Sequence, residues 1–278
     1  MPEARFEAGV VALNYMVEGP VDAPPLVFLH GVMNRWQGWG PIMPAFADRR
    51  RVYALDHRGH GRSGHAPGSY RILDYAGDVA AFLGGVVGRP AVLVGHSLGA
   101  IISIAVAADA PELVRAAVLE DPPIGAFADQ SFAERHERPR FLRARELARA
   151  GLPREELFAA LAREQPEADA AALGARTLTL GQMDPEVLTP IVEDWAKDGL
   201  DLYGRLARIA CPVLLQQGNV ALGAALEDER VERVMGALRR GCFERFDEVG
   251  HGIHGEQPFA FCRSLRAFLG DLDGEGQA

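Results

Sequence analysis

The sequence predicts an α/β protein, a doubly wound and mostly parallel sheet interrupted by an inserted helical cap. Short, continuously apolar runs alternate with longer segments of helical spacing, as in strands covered on both faces by helices. That alternation stops between Ile124 and Arg208, where Ala, Leu, Arg and Glu dominate and no convincing strand occurs. A chain of 278 residues that is 48% hydrophobic and 24% charged has room for one large core or two modest ones.

The expected strands, in chain order, are Val10–Val17, Leu26–Leu29, Val52–Leu55, Ala91–Val94, Ala117–Leu119, Val213–Gln216 and Cys242–Phe246. Helical spacing covers Ile72–Val87, Leu98–Ala108, Ala225–Leu238 and Gln257–Leu269. Within the insertion, Gly151-Leu-Pro153, Gln165-Pro166, Gly174, Asp184-Pro185 and Gly199 punctuate several short helices rather than one long one. The expected organisation is a core of residues 1–123 and 209–278 with a helical cap of residues 124–208. The small, polar end, residues 274–278, is expected to fray.

Composition excludes several function classes. The three cysteines, Cys211, Cys242 and Cys262, are odd in number and form no CxxC pair, which argues against a disulfide framework or a thiolate zinc site. A reducing, cytoplasmic setting is expected. The apolar stretch near Ala100–Ala108 is too short to span a bilayer, so no membrane association is expected. A net charge of −9 disfavours nucleic acid, whose binding is dominated by Lys and Arg.

The segment Ala91-Val-Leu-Val-Gly95-His96-Ser97-Leu98-Gly99-Ala100 is an apolar run that ends in G-x-S-x-G and enters an apolar helix. A serine on such a strand-to-helix turn projects its Oγ freely, and flanking glycines remove side chains that would collide with strand and helix. The unsatisfied N–H groups at the helix start point to the same place and can stabilise a developing oxyanion.

On this motif the chain resembles the α/β-hydrolase superfamily over nearly its whole length. Three further segments match in order: Leu29-His30-Gly31-Val32, Asp56-His57-Arg58-Gly59-His60-Gly61-Arg62-Ser63, and Val249-Gly250-His251-Gly252. The resemblance implies a nucleophile at Ser97, a base on the late G-H turn, and an oxyanion hole formed by the backbone N–H groups of Val32 and Leu98. It also implies helical caps inserted after the strand that follows the nucleophile helix.

His251 is the best candidate base, with His254 as the alternative. His96 is expected to pack and bond locally, while His30, His57 and His60 belong to turns of largely structural role, although His30 could border the oxyanion hole. No metal set and no cofactor motif is found. The acid departs from the common family pattern. Gln217-Gly218-Asn219-Val220-Ala221 carries Ala221 where an Asp usually follows the seventh strand. Asp121, after the strand that succeeds the nucleophile helix, is the preferred replacement, a position with precedent in haloalkane dehalogenases and zearalenone-type lactone hydrolases. Asp228, beside Glu227 and Glu229, is the rival, though acids there also suit a first helical turn. Glu120 should point to the opposite side of its strand from Asp121 and ranks lower.

In the cap, Arg135, Arg138, Arg140, Arg143, Arg145 and Arg149 are interspersed with Glu134, Glu137 and Glu146. A carboxylate-binding mouth is one reading, and a solvated helix face laced with ion pairs is the favoured one. Trp36 and Trp39 either line an apolar acyl pocket or pack the loop, and Trp195, Met183 and Phe141 either face the cleft or fill core. The expected function is a serine hydrolase that cleaves an ester, lactone or thioester with a substantially apolar acyl part. Carbon–carbon bond hydrolysis or perhydrolysis would use the same residues, and a small-molecule receptor of this fold is the reading from another class. The expected partner is a small-molecule substrate, with a homodimer left open.

Overall fold

The computed structural model describes residues 3–135 and 137–275, so residues 276–278 of the expected frayed end lie outside the described residues. The described strands form one eight-stranded sheet: β1 (Glu3–Ala8), β2 (Val11–Glu18), β3 (Pro25–Leu29), β4 (Arg51–Leu55), β5 (Ala91–His96), β6 (Val114–Glu120), β7 (Val213–Gly218) and β8 (Gly241–Phe246). Their order is β1-β2-β4-β3-β5-β6-β7-β8. The first two strands run antiparallel to their neighbours, and the rest are parallel.

The continuous apolar runs follow from this layering. Along β3, Val27 and Leu29 enter one core cluster while Leu26 and Phe28 enter the other, on the opposite face. Successive side chains leave a strand on opposite sides, so a strand buried twice must be apolar at every position. One face is covered by α1 (Ile72–Phe82) and α2 (Leu98–Asp109), with residues of the insertion joining the same cluster. The other face is covered by Trp36, Trp39, Ile42 and the long C-terminal helix.

Between β6 and β7 the chain forms α3 (Ile124–Ala128), α4 (Arg138–Arg149), α5 (Arg154–Glu164), α6 (Ala170–Gln182), α7 (Thr189–Val192) and α8 (Leu202–Arg208). Then come α9 (Asp228–Ala237), α10 (Ile253–Glu256) and α11 (Pro258–Glu275). Among the described residues no helix is long and apolar enough to cross a membrane.

Three boundaries differ from the sequence expectation. Strand β1 had no counterpart there; it joins β2 through the two residues Gly9 and Val10, with Gly9 at φ +73° supplying the left-handed turn. The helix expected over Ile72–Val87 widens at Leu83–Val87 into a π-helical turn, which ends at Gly88 in left-handed conformation. The helix expected over Ala225–Leu238 starts only at Asp228, because the amides of Ala225 and Leu226 are committed elsewhere.

Candidate active site

Ser97 follows β5 and precedes α2, at φ +53° and ψ −114°, a conformation that side chains other than glycine rarely adopt. The flanking glycines are sterically required. A Cβ on Gly95 would collide with the Gly99 backbone, and one on Gly99 with the carbonyls of Leu29 and His30. The Ser97 amide donates to Glu120 O at 3.0 Å, so the turn is also fixed to the end of β6.

A cavity of about 270 Å³ opens over this turn, lined by Ser97 and His251 together with Val32, Leu98 and a predominantly apolar wall. That wall includes Pro123, Phe127, Phe132, Phe141 and Ile191, most of it from the insertion. Leu98 is the first residue of α2, so its N–H has no partner within the helix. Met33, beside Val32, is another non-glycine residue at positive φ, +56°, on the cavity rim.

Asp121 follows β6 directly, at φ +43°, and is fully buried. Its Oδ2 lies 2.6 Å from His251 Nδ1 and accepts the Ala225 amide at 2.6 Å. Its Oδ1 accepts the amides of Gly218 and Leu226, each at 3.3 Å. The loop after β7, which lacks an acid at Ala221, instead folds around the carboxylate of Asp121 and supplies it with backbone donors. Asp228 is elsewhere: it starts α9, accepts from Gln217 Nε2 at 2.8 Å and pairs with Arg245 at 2.9 Å. Among the described residues no hydrogen bond joins Ser97 Oγ to His251, a type of contact that often tightens only around substrate.

Behind His251 lies a second, buried group. Glu120 accepts both the backbone N–H of His254, at 2.8 Å, and its Nδ1, at 2.9 and 2.8 Å. Burial alone would raise the Glu120 carboxyl, but the neighbouring His254 and His96 rings and the His254 hydrogen bonds outweigh it and hold the pKa below its usual value. His96 is Glu120's register partner on β5, and its Nε2 lies 2.9 Å from the His251 carbonyl oxygen. Burial drives the His96 pKa down to about 3, so the ring is neutral with its proton on Nε2. Its Nδ1 is buried without a partner, and a Cβ on Gly31 would sit 2.8 Å from it. Ligand-capable atoms of His96, Glu120 and His254 fall within 4.8 Å of one another, a grouping that linear spacing does not display. Most of those atoms are already spent on one another or on His251.

The remaining turns are scaffolding. His30 Nε2 accepts the His57 amide at 3.1 Å, and His57 Nε2 returns a bond to the His30 carbonyl at 3.1 Å. This pair ties the Gly31–Asn34 loop to the turn after β4. Asp56 accepts the amides of Trp36 and Arg62, and Arg58 forms a bidentate pair with Asp78 at 2.6 Å. Trp36 and Trp39 are buried in the core on the opposite face of the sheet, Trp39 stacked on His254, and do not line the cavity. Of the three insertion residues weighed for the cleft, Phe141 lines the cavity, and Met183 fills core.

A model of the alpha/beta hydrolase family matches residues 26–264. The chain belongs to the α/β hydrolase family. It is 38% identical over 117 residues to 2-(acetamidomethylene)succinate hydrolase of Mesorhizobium japonicum, a match covering 42% of this chain and 41% of that protein's length. It is 26% identical over 292 aligned positions to 3-oxoadipate enol-lactonase 2 of Acinetobacter baylyi, covering 97% of this chain and 98% of the relative. Among solved structures, the enol-lactonase from Burkholderia xenovorans LB400 superposes with a TM-score of 0.75 at 23% identity, covering 96% and 99% of the two chains. That last likeness is one of fold.

Proposed function

We propose that this α/β hydrolase is a serine hydrolase that cleaves a carboxylic ester, lactone or thioester through an acyl-enzyme on Ser97. The observation that carries the reading is the pairing of His251 Nδ1 with the buried Asp121 carboxylate, on the rim of the cavity that also holds Ser97. Ser97 Oγ attacks the substrate carbonyl carbon and gives its proton to His251 Nε2. Asp121 accepts the Nδ1–H and stabilises the imidazolium, while the amides of Val32 and Leu98 hold the oxyanion. Collapse expels the alcohol or thiol, which takes the proton from His251. Water, deprotonated by the same imidazole, then releases the acid and restores Ser97.

The apolar wall suits a substantially apolar acyl part, and residues 124–208, which supply most of that wall, act as the cap. The relatives named for an enol-lactonase and for a succinate-derived hydrolase are consistent with an acyl substrate of modest size. A receptor without turnover gains no support from the missing acid at Ala221, because His251 has a carboxylate partner in Asp121. Active-site labelling with a fluorophosphonate tests the reading. Label on Ser97, lost in Ser97→Ala and reduced in His251→Asn, is expected; an unlabelled wild type sinks it.

A further inference from the structure

The arginines of the insertion separate into two groups once their partners are known. Arg143 pairs with Glu146 and Glu164, Arg145 with Glu193, and Arg149 with Glu186. These form the solvated, ion-paired surface that composition favours. Arg135 and Arg140 instead line the cavity of Ser97 and His251. Arg135 is largely buried and spent, held by Glu137 at 3.0 Å and Glu227 at 2.8 Å. Arg140, on the first turn of α4, has no carboxylate partner among the described residues.

The electrostatic surroundings of Arg140 reinforce this. The charge of Arg140 acts on another cation, the half-buried Arg176 of α6. Burial, and then the charge of Arg140, push the Arg176 pKa down. Glu164, the acid whose charge acts on Arg176, already serves Arg143. Of the cations on the cavity wall, Arg135 is held by Glu137 and Glu227, whereas Arg140 has no carboxylate partner among the described residues. An exposed guanidinium on the wall of an apolar cavity offers a carboxylate a bidentate, charge-assisted partner.

We propose that Arg140 is a recognition point for a carboxylate on the substrate, so that the preferred substrate is an ester or lactone whose acyl part ends in a negative charge. This rests on the serine-hydrolase reading of the same cavity. The apolar wall of Phe127, Phe132 and Phe141 then spans the distance between the reacting carbonyl and the charged end. Arg140 is a specificity residue here: it takes no part in bond making, and the anion it binds is present in both ground and transition states. Its loss should therefore appear mainly in KM.

The test compares two aryl esters of equal chain length, one an aryl half-ester of a dicarboxylic acid and the other its methyl-capped neutral analogue, on the wild type and on Arg140→Gln and Arg140→Lys. The wild type is expected to favour the half-ester by about tenfold in kcat/KM, the worth of one charge-assisted hydrogen-bonded pair. Arg140→Gln should abolish that preference, with a far larger loss on the half-ester than on the neutral ester, Arg140→Lys should keep part of it, and added salt should shrink it in the wild type. A wild type without preference, a preference that survives Arg140→Gln, or an equal loss on both esters overturns the proposal. A neutral ester cleaved independently of Ser97 would instead overturn the underlying reading, so the two failures are distinguishable.

Discussion

Glu120 and Asp121 are adjacent at the end of β6, yet their carboxylates serve different histidines of one loop. Asp121 meets His251 and Glu120 meets His254. With His96 bonded to the His251 carbonyl, the loop is held at three points from two neighbouring strands. Alternation of side chains along β6 makes this division of labour possible: one carboxylate is delivered above the sheet edge and the other into the core beneath it.

The acid assignment predicts that Asp121→Asn lowers kcat on a short aryl ester by several orders of magnitude, roughly 10⁴ in a well-organised triad. Asp228→Asn should retain activity, since Asp228 engages Gln217 and Arg245. Steady-state kinetics on both variants decides it, and the reverse ranking would move the acid to the loop after β7.

The buried pair beneath the loop predicts a loss of stability. Glu120→Gln deprives the backbone N–H and ring of His254 of a charged acceptor in a buried site, and losing a hydrogen bond to a charged group costs about 1.5–3 kcal/mol. The melting temperature should fall by several degrees, and kcat should fall more than KM rises as the His251 loop loosens. An unchanged melting curve would mean that the pair contributes little.

Acid should weaken the fold before most carboxylates titrate. Burial lowers His57 and His96 to about 3 and His60 to about 4. Below the ordinary histidine pKa of about 6.5 the unfolded chain takes up protons that the folded chain refuses. Stability is therefore fully present above that pH and declines as pH falls from about 6.5 towards 4, by at most about 1.4 kcal/mol per unit for each group. Glu120, whose folded pKa is lowered, adds a separate loss only as pH drops below the ordinary carboxylate range. Thermal melts from pH 8 to 4.5 measure this, and a flat profile between 6.5 and 5 would contradict it.

The strained turn predicts that Gly99→Ala is damaging out of proportion to one methyl group. Its Cβ would strike backbone carbonyls of Leu29 and His30, which cannot rotate away as a side chain would. Overpacking of this kind costs about 1–3 kcal/mol, and displacement of Ser97 should remove far more activity than stability. Circular dichroism melts alongside ester turnover separate the two effects.

Much of this site was legible in the sequence because its parts are local. Gly95-His96-Ser97-Leu98-Gly99 carries its own steric logic, and Asp121 stands out as an acid at the end of a short apolar strand. The grouping of His96, Glu120 and His254 was not legible, since it depends on the register that sets Glu120 beside His96 and on the docking of the His251 loop. The late start of α9 was hidden for a related reason: the amides of Ala225 and Leu226, which helical spacing alone would assign to a first turn, are drawn to a carboxylate more than a hundred residues away. Likewise β1, with its half-exposed alternation Glu3-Ala-Arg-Phe-Glu-Ala8, lacks the double burial that marks the central strands. Trp36 and Trp39 follow the His30-Gly31 turn in sequence but cross to the far face of the sheet.

The seat of the acid on β6 also bears on how the protein is made. Ser97 and Asp121 both precede the insertion, whereas His251 lies after it on the penultimate stretch of structure. A ribosome would release Ser97, Asp121 and most of the cavity wall long before His251, which the proposed function makes their common partner. On the serine-hydrolase reading the growing chain stays inert until β7 and β8 dock, and onset of ester cleavage would be a built-in timer for completion of the sheet.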